Sequence, residues 1–272
     1  MASRQDKNFE VIIHWYPGHI AKTKRKLVEF LEFTDIVIYV LDSRLPIGTR
    51  LPEIEQAIKN KKIIVVLNKI DLADPAQTDK YLNILKKEFH IVVPANSQRG
   101  NGIESIKKYL ENLRDKILLK KRISEVKAMV AGVPNCGKSS LINRLSSKKA
   151  VRVGKKAGIT RAHQWVKINN GINLLDQPGI FFPKITNEEH GWKLAAIGSI
   201  KIDFLPVEEI AQKLIDYLIG INLIEETNSA EYIKSVAVKS GFYTNKSIDI
   251  RKSSLYLINR FQDGYFGKIT LE

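Results

Sequence analysis

One cysteine, Cys136, stands in 272 residues. A single thiol excludes an internal disulfide and any cysteine-built zinc cluster within the chain. It fits a reducing compartment. No apolar run reaches the roughly 18–20 residues of a membrane span. The opening Met1-Ala-Ser-Arg-Gln-Asp-Lys-Asn-Phe-Glu10 has no apolar core followed by a cleavage signal. A cytoplasmic protein with no membrane partner is therefore expected. Acidic residues are also scarce: 29 Asp and Glu face 44 Lys and Arg, a net charge of +15. Such a surplus seeks polyanions, most often nucleic acid. Apolar residues make up 44%, enough for a sizeable core, and the length implies one to two domains.

The charge is uneven. Residues 1–180 hold 33 basic against 17 acidic side chains, whereas residues 181–272 hold 11 against 12. The basic clusters are Lys22–Lys26, Lys59–Lys62, Lys120–Arg122 and Lys148–Lys156. One such cluster is an ordinary solvated face; four in one domain make a field.

Short apolar runs alternate with amphipathic stretches up to residue 180. Ile36–Leu41, Ile63–Leu67, Ile91–Val93, Ala128–Ala131 and Ile172–Leu175 read as buried strands. Leu51–Asn60, Ala76–Phe89, Gly102–Lys120 and Lys138–Leu145 read as helices. This alternation predicts an α/β domain with a mostly parallel sheet and helices on both faces, binding its ligand beyond the carboxyl ends of the strands. After Pro183 the pattern turns helical over Glu188–Ile197, Val207–Leu218, Ser229–Ser240 and Ser247–Phe261, with Gly198, Gly220 and Gly241 as stops. The expected division is residues 1–183 and a smaller all-α domain over 184–272.

The chemistry lies in the loops after the strands. Ala128–Ala131 leads into Gly132-Val-Pro-Asn-Cys-Gly-Lys-Ser139, the pattern G-x-x-x-x-G-K-S. Backbone N–H groups across Asn135, Cys136 and Gly137, and on into Ser139 and Ser140, can cradle phosphate. Lys138 can neutralise it, Ser139 can ligate Mg²⁺, and the following helix points its positive end at the same charge. Ile172–Leu175 ends in Asp176-Gln-Pro-Gly179. Asp176 can support Mg²⁺ and the Gly179 N–H can meet a γ-phosphate; the same four residues also suit a type II turn. Between these elements lies Gly158-Ile-Thr-Arg161, where Thr160 is either a switch threonine closing over Mg²⁺ or an ordinary loop residue.

Ile63–Leu67 is followed by Asn68-Lys-Ile-Asp71, the pattern N-K-x-D. Asp71 can accept from the guanine N1–H and N2 amino group, a donor pair that adenine lacks, so a carboxylate there selects guanine. Lys69 can lay its stem along the base, and Asn68 can tie loops together. Ile91–Val93 leads to Ala95-Asn-Ser-Gln-Arg-Gly100, where Asn96 and Ser97 are candidates to meet the guanine O6.

The motif order is unusual. N-K-x-D at 68–71 precedes the P-loop at 132–139, and Asp-x-x-Gly at 176–179 comes last. A circular permutation reconciles that order with an ordinary sheet. It also runs the switch regions directly into residues 184–272, so loss of γ-phosphate can move the helical part.

With these motifs in place, the chain resembles the ribosome biogenesis GTPase A family, circularly permuted GTPases acting on the large ribosomal subunit. The resemblance rests on Trp15-Tyr-Pro-Gly-His-Ile-Ala-Lys22, Asp42-Ser-Arg-Leu-Pro46, the nucleotide motifs, Pro178-Gly-Ile-Phe-Phe-Pro-Lys184 and Gly264-Tyr-Phe-Gly-Lys-Ile-Thr-Leu-Glu272. It covers nearly the whole chain. Ser43 stands where that family usually has Ala, and residues 97–102 vary.

Many small GTPases orient water with a Gln just after Asp-x-x-Gly; here that place is Ile180, which cannot hydrogen-bond. The resemblance implies His19 as the water-orienting group, an imidazole suited to neutral pH. From the sequence alone His19 reads equally as a helix-start residue, and His14 is its neighbouring rival. Asn135 resembles the potassium-coordinating Asn of potassium-dependent GTPases; the other reading is an Asn that tolerates a tight loop. Cys136 reads as a space-filler.

The expected ligands are GTP and GDP with Mg²⁺, and K⁺ as a further candidate. The expected partner is a precursor of the large ribosomal subunit, met through rRNA by a monomer. Lys22, Lys24, Arg25, Lys26, Lys148, Lys149, Lys155 and Lys156 are the candidate RNA contacts in the first part. Arg251 and Lys252 are candidates in the second. Docking would then order the catalytic segments and stimulate hydrolysis. A permuted GTPase of the small subunit is disfavoured, because the cysteine-rich zinc modules it would carry are absent. Ile180 keeps another alternative open: a nucleotide-gated RNA-binding scaffold with negligible turnover.

Overall fold

The computed structural model describes residues 29–146, 152–153, 164–169, 171–176, 185, 187–200, 202, 205–245 and 247–272. His14, His19, Lys22, Lys24, Arg25, Lys26, Lys148, Lys149, Lys155, Lys156, Thr160, Gly179 and Ile180 lie outside the described residues. The chain divides into two compact units, one built on described residues between 29 and 176 and one on those between 185 and 271.

The first unit is the α/β part. Its elements follow the order β1 (Ile36–Asp42), α1 (Pro52–Ile58), β2 (Lys62–Asn68), α2 (Pro75–Glu88), β3 (Val92–Ala95), α3 (Ile103–Lys121), β4 (Val126–Gly132), α4 (Lys138–Leu145), β5 (Arg152–Val153), β6 (Gln164–Asn169) and β7 (Ile172–Asp176). These strands form one sheet in the order β3-β2-β1-β4-β7-β6-β5. The five strands from β3 to β7 are parallel, and β6 and β5 extend the sheet antiparallel.

The sequence explains this layout. β1 is buried along its whole length, as an unbroken run of branched and aromatic residues must be when both faces of a parallel sheet are covered. From β1 the chain steps outward through α1 and α2 to β3, then α3 carries it back to β4 on the other side of β1. Right-handed crossovers put helices that step in opposite directions on opposite faces, and α3 packs against α4. Each apolar side chain taken into this core contributes about 1.5–3 kcal/mol.

The strand order reverses between β1 and β4, the two neighbours in mid-sheet. In an open α/β sheet that switch point opens a crevice at the carboxyl ends. The P-loop follows β4, and Asp42 closes β1. The order of elements is that of the mostly parallel α/β sheet the sequence predicts, with its phosphate loop after the fourth strand, followed by a smaller all-α part.

β6 corrects the sequence reading, which has no strand over residues 164–169. That stretch, Gln-Trp-Val-Lys-Ile-Asn, mixes polar and apolar residues without the continuous run that marks the central strands, and the strand pairs on one side with only two residues of β5.

The second unit holds α5 (Glu188–Ala196), α6 (Val207–Gly220), α7 (Ser229–Lys239) and α8 (Ile250–Gln262). α6 packs against the other three. It buries Val207, Ile210, Ala211, Leu214, Ile215 and Leu218, the spacing of one helical face. Side chains cap α5, α7 and α8: Asn187 accepts from the His190 N–H, Asn228 from Ala230 and Glu231, and Asp249 from Lys252.

Gly198 and Gly241 have positive φ, as expected of helix stops. Gly220 is the last residue of α6, but the left-handed residue is Asn222 at φ 56°, with Leu223 N–H returning to the Leu218 carbonyl. Asparagine tolerates that conformation.

Among the described residues, no helix is long and apolar enough to cross a membrane.

Candidate nucleotide-binding site

Three loops meet at the carboxyl ends of β4, β2 and β3. The first begins at Gly132, whose φ is 152°. A Cβ there would collide with the Val40 carbonyl oxygen of β1, so only glycine lets β4 pair this closely as it turns into the loop. Asn135 and Gly137 follow at φ 57° and 99°. Alternating handedness of this kind turns successive N–H groups inward as an anion nest. α4 starts at Lys138, and its first-turn N–H groups point towards the same place.

Lys138 is buried, and its ammonium donates to the carbonyls of Gly132 (3.0 Å) and Val133. The charge expected to neutralise phosphate thus lies inside the loop. Ser139 is exposed and Ser140 half-buried on the first turn of α4. The backbone of Asp176 ends β7, which runs parallel to β4 with Leu175 opposite Met129. Ser139, on the helix after the loop that leaves β4, and the backbone of Asp176 thus belong to segments that leave adjacent strands. A hydroxyl and a carboxylate are hard oxygen donors of the kind that suit Mg²⁺.

Cys136 is fully buried, and burial pushes its thiol upward against the pull of Lys138. It fills space, as the sequence suggested. Asn135 has the left-handed backbone that its second reading required.

The second loop is N-K-x-D. Asn68 is buried, and its Nδ2 donates to the Cys136 carbonyl at 2.8 Å. Its Oδ1 accepts from the Ser97 N–H at 3.0 Å and the Ser97 hydroxyl at 2.9 Å. One carboxamide therefore ties the phosphate loop to the third loop, the role its position suggested. Gly137 makes room for it, because a Cβ there would strike Nδ2 of Asn68. Asp71 is half-exposed at the turn after β2, where the Leu72 N–H bonds the Lys69 carbonyl.

The third loop is held from inside. Asn96 Oδ1 accepts from the Gln98 and Arg99 N–H groups at 3.0 and 2.9 Å. Arg144 of α4 donates to the Ser97 carbonyl at 3.3 Å and to that of Gln98. The Ser97 hydroxyl and N–H are both committed to Asn68, so its side chain positions the loop.

Sequence reasoning assigned no role to Asp42 and Arg44. Asp42 ends β1, fully buried. Arg44 grips both its oxygens, Nε to Oδ1 at 2.9 Å and Nη2 to Oδ2 at 2.8 Å. Lys69 Nζ reaches Oδ2 at 2.9 Å. Burial alone would raise the Asp42 carboxyl, but the Arg44 and Lys69 charges outweigh it and hold it well below the usual carboxylate range. The available signal was an Asp closing an otherwise apolar strand.

In the helical unit, Arg251 is half-exposed with Glu208 at 3.9 Å. Lys252 stands over the Phe242 ring at 4.9 Å.

The family model described as "50S ribosome-binding GTPase" matches residues 127–239. Ribosome biogenesis GTPase A of Priestia megaterium is 41% identical over 212 residues, 76% of this chain and 74% of that one. Its namesake from Bacillus cereus is 33% identical over 279 residues, 96% and 94% of the two chains. Among solved structures, GNP-bound YlqF from T. maritima superposes with a TM-score of 0.72 at 26% identity, covering 92% of this chain and 97% of the other. The GDP-bound form of that protein gives 0.70. The sheet, the loops joined by Asn68 and these relatives along most of the length make one assignment: the chain is a GTP-binding and GTP-hydrolysing enzyme of the ribosome biogenesis GTPase A family.

Proposed function

We propose that this GTPase is a cytoplasmic assembly factor that docks as a monomer on a precursor of the large ribosomal subunit, hydrolyses GTP faster when docked, and leaves in the GDP form. The observation that carries the proposal is the charge division: a net of +16 over residues 1–180 and −1 over residues 181–272. The strongly basic part is the part that holds the nucleotide, so rRNA phosphates would be met beside the reacting centre. The names of the relatives point the same way.

In this reading Lys138 neutralises phosphate, Asp71 reads guanine, and Asn135, Cys136, Gly137, Ser139, Ser140 and Gly179 surround the phosphates. Ser139, Thr160 and Asp176 hold Mg²⁺. When bound, that ion neutralises charge on the β- and γ-phosphates. Asn135 is the candidate ligand for K⁺. His19 orients the attacking water in place of the missing Gln. Lys22, Lys24, Arg25, Lys26, Lys148, Lys149, Lys155 and Lys156 flank these catalytic segments in sequence and touch RNA, so docking orders what hydrolysis needs. Arg251 and Lys252 add local contacts from the helical part.

The test is GTP hydrolysis in potassium against sodium buffer, with and without isolated large subunits, with His19→Ala as control. Stimulation that needs particle, potassium and His19 is the expected result. Nucleotide-dependent subunit binding without stimulated turnover would instead favour the scaffold reading, the alternative that Ile180 keeps open. Subunit binding should also weaken steeply with added salt.

A further inference from the structure

The buried carboxylate of Asp42 belongs to neither the phosphate loop nor the base-reading motif, yet it lies between them. β1 pairs with β2 on one side and β4 on the other, placing Asp42 opposite Asn68 and Val40 opposite Gly132. Asp42 is therefore the side chain that β1 delivers to the switch point of the sheet.

Lys69 is the unusual member of the cluster. It adopts φ 63°, a left-handed conformation that costs an ordinary side chain energy unless its surroundings impose it. Asn68 fixes the residue before it. The ion pair to Asp42 fixes the other end, drawing the ammonium inward at 2.9 Å. The four-carbon stem is thereby tethered at both ends, at its backbone in the base-reading loop and at its ammonium on Asp42. Arg44, with 1% of its surface exposed, supplies the second cation that lets a carboxylate remain charged here.

We propose that Asp42 is a positioning residue for nucleotide binding: by holding the Lys69 ammonium it fixes that stem as the preformed floor of the guanine pocket, with Arg44 as its buried counter-charge. A lysine left to order itself on binding would lose side-chain freedom at that moment. One already anchored has lost it on folding. The inference rests on reading residues 68–71 as the base-reading loop.

A double-mutant cycle on GDP affinity tests it, using Asp42→Asn, Lys69→Met and the pair, followed with a fluorescent GDP and with thermal unfolding. Asp42→Asn should weaken GDP about tenfold, mostly through faster release, the scale set by one anchored side chain. In the Lys69→Met background the same change should cost less than about twofold, since coupled residues are not additive. Equal fold-losses in both backgrounds, or no loss in the first, overturn the proposal. If Asp42→Asn does not fold, the cycle is run with Arg44→Met present, which removes the cation that would be stranded. The unchanged protein's preference for GDP over ADP is measured alongside. If that preference is absent the base-loop reading itself falls; if it is present and the cycle is additive, only the role of Asp42 falls.

Discussion

The carboxamide of Asn68 donates to the carbonyl of Cys136 at 2.8 Å, joining residues 68 apart in the chain. The base-reading strand and the phosphate loop are thereby one mechanical object, and the same side chain holds Ser97 through its oxygen.

Asn68→Ala should therefore loosen both ends of the nucleotide site. It strands the Cys136 carbonyl and both polar groups of Ser97. At about 1–3 kcal/mol for each buried group left unsatisfied, stability should fall by roughly 3 kcal/mol or more. Urea unfolding reads the stability, and GDP release should quicken in parallel. Unchanged release with lowered stability would separate the fold from the site.

Gly137→Ala attacks the same joint from the other side. The added methyl group would strike Asn68 Nδ2, at a backbone φ of 99° that favours glycine. Strain of this kind costs about 1–3 kcal/mol. Both GDP and GTP should bind more weakly by similar factors, because the distortion falls on the β-phosphate cradle that the two nucleotides share. Equilibrium titration with each nucleotide checks this.

Much of this site was legible because each loop follows a short apolar strand, and a motif at a strand end has a fixed destination in a parallel sheet. Asn68, Cys136 and Lys138 were placed that way. The Asp42–Lys69 pair was not legible. It joins two motifs across 27 positions, and only the register that sets Asp42 beside Asn68 reveals it. β6 was missed because its residues lack a continuous apolar run. The bonds from Ser97 to Asn68 were not legible, because sequence says nothing about which partner a hydroxyl finds first.

Asp71→Asn should redirect base choice. A carboxylate accepts two hydrogen bonds from guanine, whereas a carboxamide accepts one and donates one, which suits a base with a carbonyl at C2. GDP affinity should drop by about 10²-fold or more, as when a buried polar group is left unpaired against the wrong base, and xanthosine diphosphate should gain on it. Competition between the two nucleotides gives the ratio directly.

Acid should weaken the protein through Asp42. Its carboxyl is held well below the usual range when folded, against about 3.9 in an unfolded chain. A depressed folded value means the contribution is full above the unfolded pKa, begins to be lost as pH falls past it, and goes on falling towards the folded value. Urea midpoints from pH 6 to pH 3 should show a shallower fall in Asp42→Asn than in the unchanged protein. The variant itself starts lower by about 3–5 kcal/mol, because Arg44 and Lys69 lose their shared counter-ion.

The order of strands also bears on how the chain is made. β1 emerges from the ribosome before β2 and β3, yet its other neighbour in mid-sheet is β4, residues 126–132. Until that segment is synthesised, β1 keeps one open hydrogen-bonding edge flanked by apolar residues on both faces, the surface most prone to pairing with another chain. Translation speed between residues 42 and 126 therefore sets how long a nascent copy is exposed to misassembly, a cost that falls on an enzyme whose relatives are named for ribosome biogenesis.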